Sequence, residues 1–141
     1  KAERLKKMGA EALIDYKTTP DWDKETLKLT GGRGADVTVE VGGAGTLPRS
    51  FLATRIGGRI AVIGLLSGMA TLDPMPILRR NLRVQGLYVG SQQMFEAMNR
   101  AIEANGLAPV IDKVFPFADA QDAYRHLKSQ NHFGKIVISH A

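Results

Sequence analysis

Three glycine-bearing segments are the places where this backbone could close on a ligand: Gly42-Gly43-Ala44-Gly45, Gly64-Leu65-Leu66-Ser67-Gly68 and Val89-Gly90-Ser91. A residue without Cβ lets the main chain approach another group closely, so glycines clustered after strands suit either a bound nucleotide or a tight turn. The stretch Gly43-Ala44-Gly45-Thr46-Leu47-Pro48 follows a strand pattern and opens a helix pattern, as a dinucleotide fingerprint does. It carries Pro48 where a third glycine would let the helix pack on the strand. No acidic residue closes a second strand about 20 residues on, where a ribose contact belongs; Gly64 stands near that distance instead. The stretch is therefore rejected as the pyrophosphate loop. The remaining reactive side chains form no constellation. His126, His132 and His140 lack metal-ligand spacing, and the carboxylates are scattered with no pair placed for acid/base work. The chain has no Cys, which excludes a thiolate nucleophile, a zinc finger and a disulfide framework within it and fits a reducing, cytoplasmic setting. No catalytic and no metal-binding residue is expected here.

The elements that must position the glycine segments follow from hydrophobic period. Ala2, Leu5 and Met8 repeat at helical spacing with Gly9 as the stop, so the chain opens inside a helix. Ala12-Leu13-Ile14 is a short apolar strand reaching Asp15-Tyr16, and Pro20 precedes a helix from Trp22 to Thr30. Residues 35–41 (ADVTVEV) and 59–63 (RIAVI) read as strands that run into the first two glycine segments. Between them Leu47, Phe51 and Thr54 mark one helix face, closed by Gly57-Gly58. A further strand runs from Leu82 to Val89. The clearest amphipathic helix carries Met94, Phe95, Met98 and Ile102; a last helix is capped by Asp119, with Asp122 at the capping-box position. Residues 133–139 form the final strand. Strands alternating with helices imply βαβ units, and strands as apolar as RIAVIG suit a parallel sheet buried on both faces. The expected fold class is α/β, a doubly wound parallel sheet, whose ligands bind outside the carboxyl ends of the strands.

Apolar residues make up 44% and charged residues 23% of 141 residues, an ordinary soluble composition. The net charge is +5, but Lys and Arg are scattered, so no nucleic-acid surface is expected. The apolar runs are too short for a membrane span, and the charged start is no signal peptide. A start without Met and inside a helix makes part of a longer chain the expectation.

Five segments taken in order, KAERLKKMGAEALIDYK, LTGGRGADVTVEVGG, RIGGRIAVIGLLSG, LRVQGLYVGSQQMFEAM and HFGKIVISHA, resemble the cofactor domain of medium-chain dehydrogenase/reductases. The likeness is to zinc-type alcohol dehydrogenases and NADPH quinone oxidoreductase-like members, and it covers essentially the whole chain. It implies a Rossmann-type domain over residues 1–141 that lacks its first βα unit, with the glycine fingerprint before Lys1 and a GroES-like catalytic domain elsewhere. It implies NAD(P)H-dependent hydride transfer to or from a quinone, an enal or enoyl compound, or an alcohol/aldehyde pair. A non-catalytic nucleotide-binding or structural member of the same fold is the alternative, and these residues alone are expected to be inert. Carried over by position, Lys1 would approach the 2′-phosphate, favouring NADP(H) over NAD(H), and Tyr16 would stand near the adenosine. Val41 and Gly42 would lie near ribose and diphosphate, and Gly64, Leu65 and Ser67 beside the nicotinamide ribose. Leu87, Tyr88 and Val89 would meet the carboxamide, and Lys135 would make a late cofactor contact. Zinc ligands would lie outside these residues. The edge strand from Leu82 to Val89 would pair with its twin to form a homodimer.

In the strand order 3-2-1-4-5-6, the absent strands 1 and 2 lie between residues 12–15 and residues 37–41. Two unpaired edges follow, so this piece is expected not to fold stably as a monomer.

Overall fold

The computed structural model describes residues 1–140. The chain divides into two compact units, one over residues 2–89 and one from Gly90 onward together with Lys1. In the first unit, helices α1 (Ala2–Lys7) and α2 (Trp22–Leu29) precede strand β1 (Ala35–Glu40), helix α3 (Leu47–Ala53), strand β2 (Thr54–Val62), helix α4 (Met75–Arg79) and strand β3 (Arg83–Gly86). The three strands form one parallel sheet in the order β1-β2-β3. Its core is made by Leu47 and Phe51 from α3, Ile60 from β2 and Leu82 just before β3, with Val62 and Ile77 packed against them. Pro48 sits in the first turn of α3, where the missing N–H would have had no helical partner.

The register matters for function because it aligns the strand ends. Glu40 pairs with Val62, and Val62 with Gly86, so three carboxyl ends open on one edge of the sheet. The amino ends are less regular. Gly57-Gly58, expected to close the helix, lie inside β2, because α3 ends at Ala53 and extended backbone begins at Thr54. The pairing passes from Ala35 with Thr54 to Val37 with Arg59, so residues 55–58 bulge opposite Asp36. Gly57 takes the excursion at φ 69°, a conformation a side chain would oppose. Asp36 holds the bulge by accepting from Arg55 Nε at 2.6 Å, and Arg33 Nη1 reaches its other oxygen at 2.9 Å.

Residues 12–15 form no strand, against expectation. A strand exists only through its ladder, and among the described residues none stands beside them. The strand expected from Leu82 to Val89 is confined to Arg83–Gly86, with one further bond from Leu87 N to the Val62 carbonyl at 2.9 Å.

The second unit contains helix α5 (Gln92–Ala104), strand β4 (Ile111–Pro116), a 3₁₀ turn (Phe117–Asp119), helix α6 (Ala120–Ser129) and strand β5 (Lys135–Ser139). Here β4 and β5 pair in parallel with each other, so among the described residues the strands fall into two sheets. Ser91 caps α5 by accepting from Met94 N at 3.2 Å. Asp119 makes no side-chain cap, because the 3₁₀ turn leaves its ψ at 20° and not in the extended range a capping residue adopts. Asp122, likewise, bonds Arg125 and not the helix start. His126 is partly buried and donates from Nε2 to Asp112 Oδ2 at 2.8 Å, tying α6 to β4. The same carboxylate accepts from Phe133 N at 2.9 Å.

Candidate functional site

The site lies in the first unit, where the loops after β1 and β2 meet. Glu40 ends β1 pointing toward α3 and is buried, at 3% exposure. Its Oε1 accepts from Gly42 N at 2.7 Å, Gly43 N at 3.0 Å and Thr46 Oγ1 at 2.5 Å, and its Oε2 accepts from Ser50 Oγ. Burial alone pushes such a carboxyl up; the hydrogen bonds from Ser50, Thr46, Gly43 and Gly42 together outweigh it and hold Glu40 below the usual glutamate value. The charge is thus retained inside the protein because four donors converge on it.

Ser67 joins the second loop to the first. Its Oγ donates to the Gly42 carbonyl at 2.5 Å and accepts from Gly45 N at 2.8 Å, while its own N–H donates to Gly42 O at 2.7 Å. Leu66 N reaches the Val41 carbonyl at 3.2 Å. The glycines are needed for this seam. A Cβ on Gly64 would lie 2.7 Å from Val41 O, and one on Gly43, at φ 83°, would lie 2.9 Å from Leu65 Cα. Close approach therefore occurs between two loops of the chain, a reading midway between the turn and the ligand contact that glycines alone suggest.

Beside this seam runs a cleft of about 900 Å³, at the upper end of small-molecule sites. Ile14, Tyr16, Trp22, Val39, Val41 and Ser67 are among the residues that line it. Arg49 also lines it but is neutralised: Nη2 donates to Asp21 at 2.9 Å and Nη1 to the buried Asp23. Lys24 Nζ also donates to Asp21, at 2.7 Å, and the bonds from Lys24 and Arg49 hold Asp21 below its usual range.

The expected residues divide between the two units. Tyr16, Val41, Gly42 and Ser67 line the cleft, and Gly64 and Leu65 stand in the loop sewn to its wall. Leu87 joins the ladder through its backbone, whereas Tyr88 is 98% exposed, with no part in the cleft. Val89 is likewise exposed. Lys1 and Lys135 belong with the second unit, where Lys1 Nζ donates to the Gln130 carbonyl at 2.7 Å and Lys135 N to the Val110 carbonyl at 2.7 Å. Glu40, Thr46, Ser50 and Arg49 were not singled out from sequence. The available signal was a lone acid at the end of an apolar strand, directly before two glycines whose amides it could accept.

The backbone donors of this wall are all engaged. Gly42 and Gly43 N–H go to Glu40, Ala44 N to Gly68 O, Gly45 N to Ser67, and Thr46 and Leu47 N to Gly43 O. Every amide from 42 to 47 has a partner within the protein, so the loop is a formed wall. For zinc the fit is absent: among the described residues no three His, Asp or Glu side chains come together as a metal site. No helix among them is long and apolar enough to cross a membrane.

The family model for zinc-binding dehydrogenases matches residues 1–104. The chain belongs to the zinc-binding dehydrogenase family. This dehydrogenase-family chain is 42% identical, over 98% of its length, to a zinc-type alcohol dehydrogenase-like protein of Schizosaccharomyces pombe, of which it covers 41%. It is 29% identical to the 2-haloacrylate reductase of a Burkholderia species, again over 98% of its length and 44% of that protein's. The crystal structure of an NAD-dependent alcohol dehydrogenase superposes with a TM-score of 0.83 at 35% identity, over 99% of this chain and 40% of that one. The dehydrogenase-family chain thus spans about two fifths of the relatives it matches. Its Rossmann-type, parallel α/β architecture is the one these neighbours share.

Proposed function

We propose that this chain is the cofactor-binding part of an NAD(P)H-dependent oxidoreductase. It holds the dinucleotide while hydride passes to or from a quinone, an enal or enoyl compound, or an alcohol/aldehyde pair bound by another part of the protein. The observation that carries the reading is the seam of residues 41–46 and 64–68 at the carboxyl ends of parallel strands, beside a nucleotide-sized cleft. The chemistry belongs to the cofactor, and the protein contributes position and exclusion of water. Similarity to a 2-haloacrylate reductase and, at 29% identity, to a crotonyl-CoA reductase of Streptomyces avermitilis favours an activated carbon–carbon double bond among those substrates.

NADP(H) is the preferred dinucleotide in this reading. The family likeness at Lys1 supports it, since a lysine is a point cation that meets an extra phosphate without fixed geometry. NAD(H) is the rival, favoured by the likeness to an NAD-dependent alcohol dehydrogenase. The assembly is a homodimer that pairs β3 edge to edge, since β3 ends the sheet and all four of its residues are exposed.

Both readings are tested on the full-length protein that carries this chain. NADPH and NADH oxidation is followed at saturating quinone, enal, enoyl thioester and aldehyde. Turnover with one class and a lower KM for NADPH is expected. Dinucleotide binding without turnover on any of them would leave a non-catalytic nucleotide-binding protein.

A further inference from the structure

We propose that Glu40 is the positioning residue of the dinucleotide cleft, fixing through Gly42 and Gly43 the wall against which the cofactor lies. The inference rests on the cofactor-binding reading above and goes beyond it, because it assigns the shape of the wall to one buried side chain.

Glu40 is the last residue of β1, and all of its partners come later in the chain. Two are backbone amides of the turn, one is the Thr46 hydroxyl before α3, and one is the Ser50 hydroxyl within it. One carboxylate therefore joins strand end, turn and helix. Gly42, held on its N–H by Glu40, offers its carbonyl to both the N–H and the hydroxyl of Ser67. The second loop is stacked on the first through the residue that Glu40 fixes. A change at Glu40 reaches Ser67 in two hydrogen bonds, and both Gly42 and Ser67 line the cleft.

The chemistry of the position is specific to an acceptor. Four donors converge, so a group that only accepts satisfies them all, whereas an amide of the same shape brings an NH₂ among existing donors. Glu40→Gln keeps the volume and removes one accepting oxygen. Bonds to a charged acceptor are roughly twice as strong as neutral ones, so losing them should shift the turn and weaken dinucleotide binding by roughly tenfold or more.

A purely structural role is separated from a positioning role by a control beneath the same wall. Thr54 is fully buried, donates to the Ser50 carbonyl at 2.6 Å and lies 2.7 Å from Thr38 Oγ1. Thr54→Val breaks these bonds and leaves Glu40 with all its donors. In the full-length protein, thermal midpoints and the Kd of NADPH and NADH, read by nicotinamide fluorescence, are compared for wild type, Glu40→Gln and Thr54→Val. Both variants should melt earlier, and only Glu40→Gln should lose affinity at a temperature where all three are folded. Wild-type affinity in folded Glu40→Gln, or an equal loss in Thr54→Val, overturns the assignment. Should Glu40→Gln not fold, Thr46→Val removes a single donor and keeps the carboxylate. A loss of roughly threefold then supports the assignment, and unchanged affinity overturns it. Wild-type protein that binds neither dinucleotide overturns the cofactor reading itself; bound wild type with an indifferent Glu40→Gln overturns the role of Glu40 alone.

Discussion

A carboxylate buried at 3% exposure would ordinarily be neutral or absent, and Glu40 is neither, because each of its oxygens is met by a donor. Its acid titration has a definite sign. Burial raises the folded-state value, the four hydrogen bonds lower it further than burial raises it, and the outcome lies below the ordinary 4.5. A depressed carboxyl value means that the unfolded chain takes up the proton first. The contribution to stability is complete above pH 4.5 and is lost as pH falls through the lower, folded-state value. Thermal midpoints of the full-length protein should therefore drop more steeply below that pH in wild type than in Glu40→Gln, where this component is missing. Parallel acid profiles would show that Glu40 carries no such linkage. The glycines at this scale act in pairs: Gly64 leaves room for the Val41 carbonyl, and Gly43 leaves room for Leu65.

At the scale of elements, β3 carries the prediction. Leu87 N donates inward to Val62, and N–H groups alternate sides along a strand, so that of Gly86 points away from β2. A Cβ at Gly86 meets nothing within 4 Å. Gly86→Pro should therefore keep the β2–β3 ladder, remove an outward donor and place a ring where the twin strand would pair. Sedimentation of the full-length protein should change from dimer to monomer with the fold retained, and a dimer that persists would place the interface elsewhere. Much of this level was legible in advance. Apolar runs ending in glycine marked β1 and β2, and Met94, Phe95, Met98 and Ile102 at helical spacing marked α5. Residues 12–15 looked like a strand for the same local reason, yet a ladder is a property of two strands, and the second is not among the described residues. Gly57-Gly58 looked like a helix stop because glycine punctuates; the register of β1 against β2 turned them into a bulge.

At the scale of the whole molecule, burial is incomplete where a parallel sheet requires it. Val37 and Val39 of β1 are 57% and 63% exposed, although such strands are normally covered on both faces. The first unit's core rests on Leu47, Phe51, Ile60 and Leu82. The isolated 141-residue chain is therefore expected to show a broad, weakly cooperative melt when monomeric, by calorimetry and by circular dichroism. A sharp transition in a demonstrated monomer would overturn that expectation. Composition, the period of the apolar residues and the order of the glycine segments by themselves determined the α/β class, most of the helices and strands and the family resemblance, because these depend on what each residue does to its neighbours in sequence. Only the tertiary structure decided that the strands form two sheets, that Tyr16, Val41, Gly42 and Ser67 share a cleft while Lys1 and Lys135 belong to the other unit, and that Glu40 holds the wall. The physical reason is distance along the chain: Ser67 meets Gly42 across 25 residues, and no local pattern encodes which distant acceptor a donor will find.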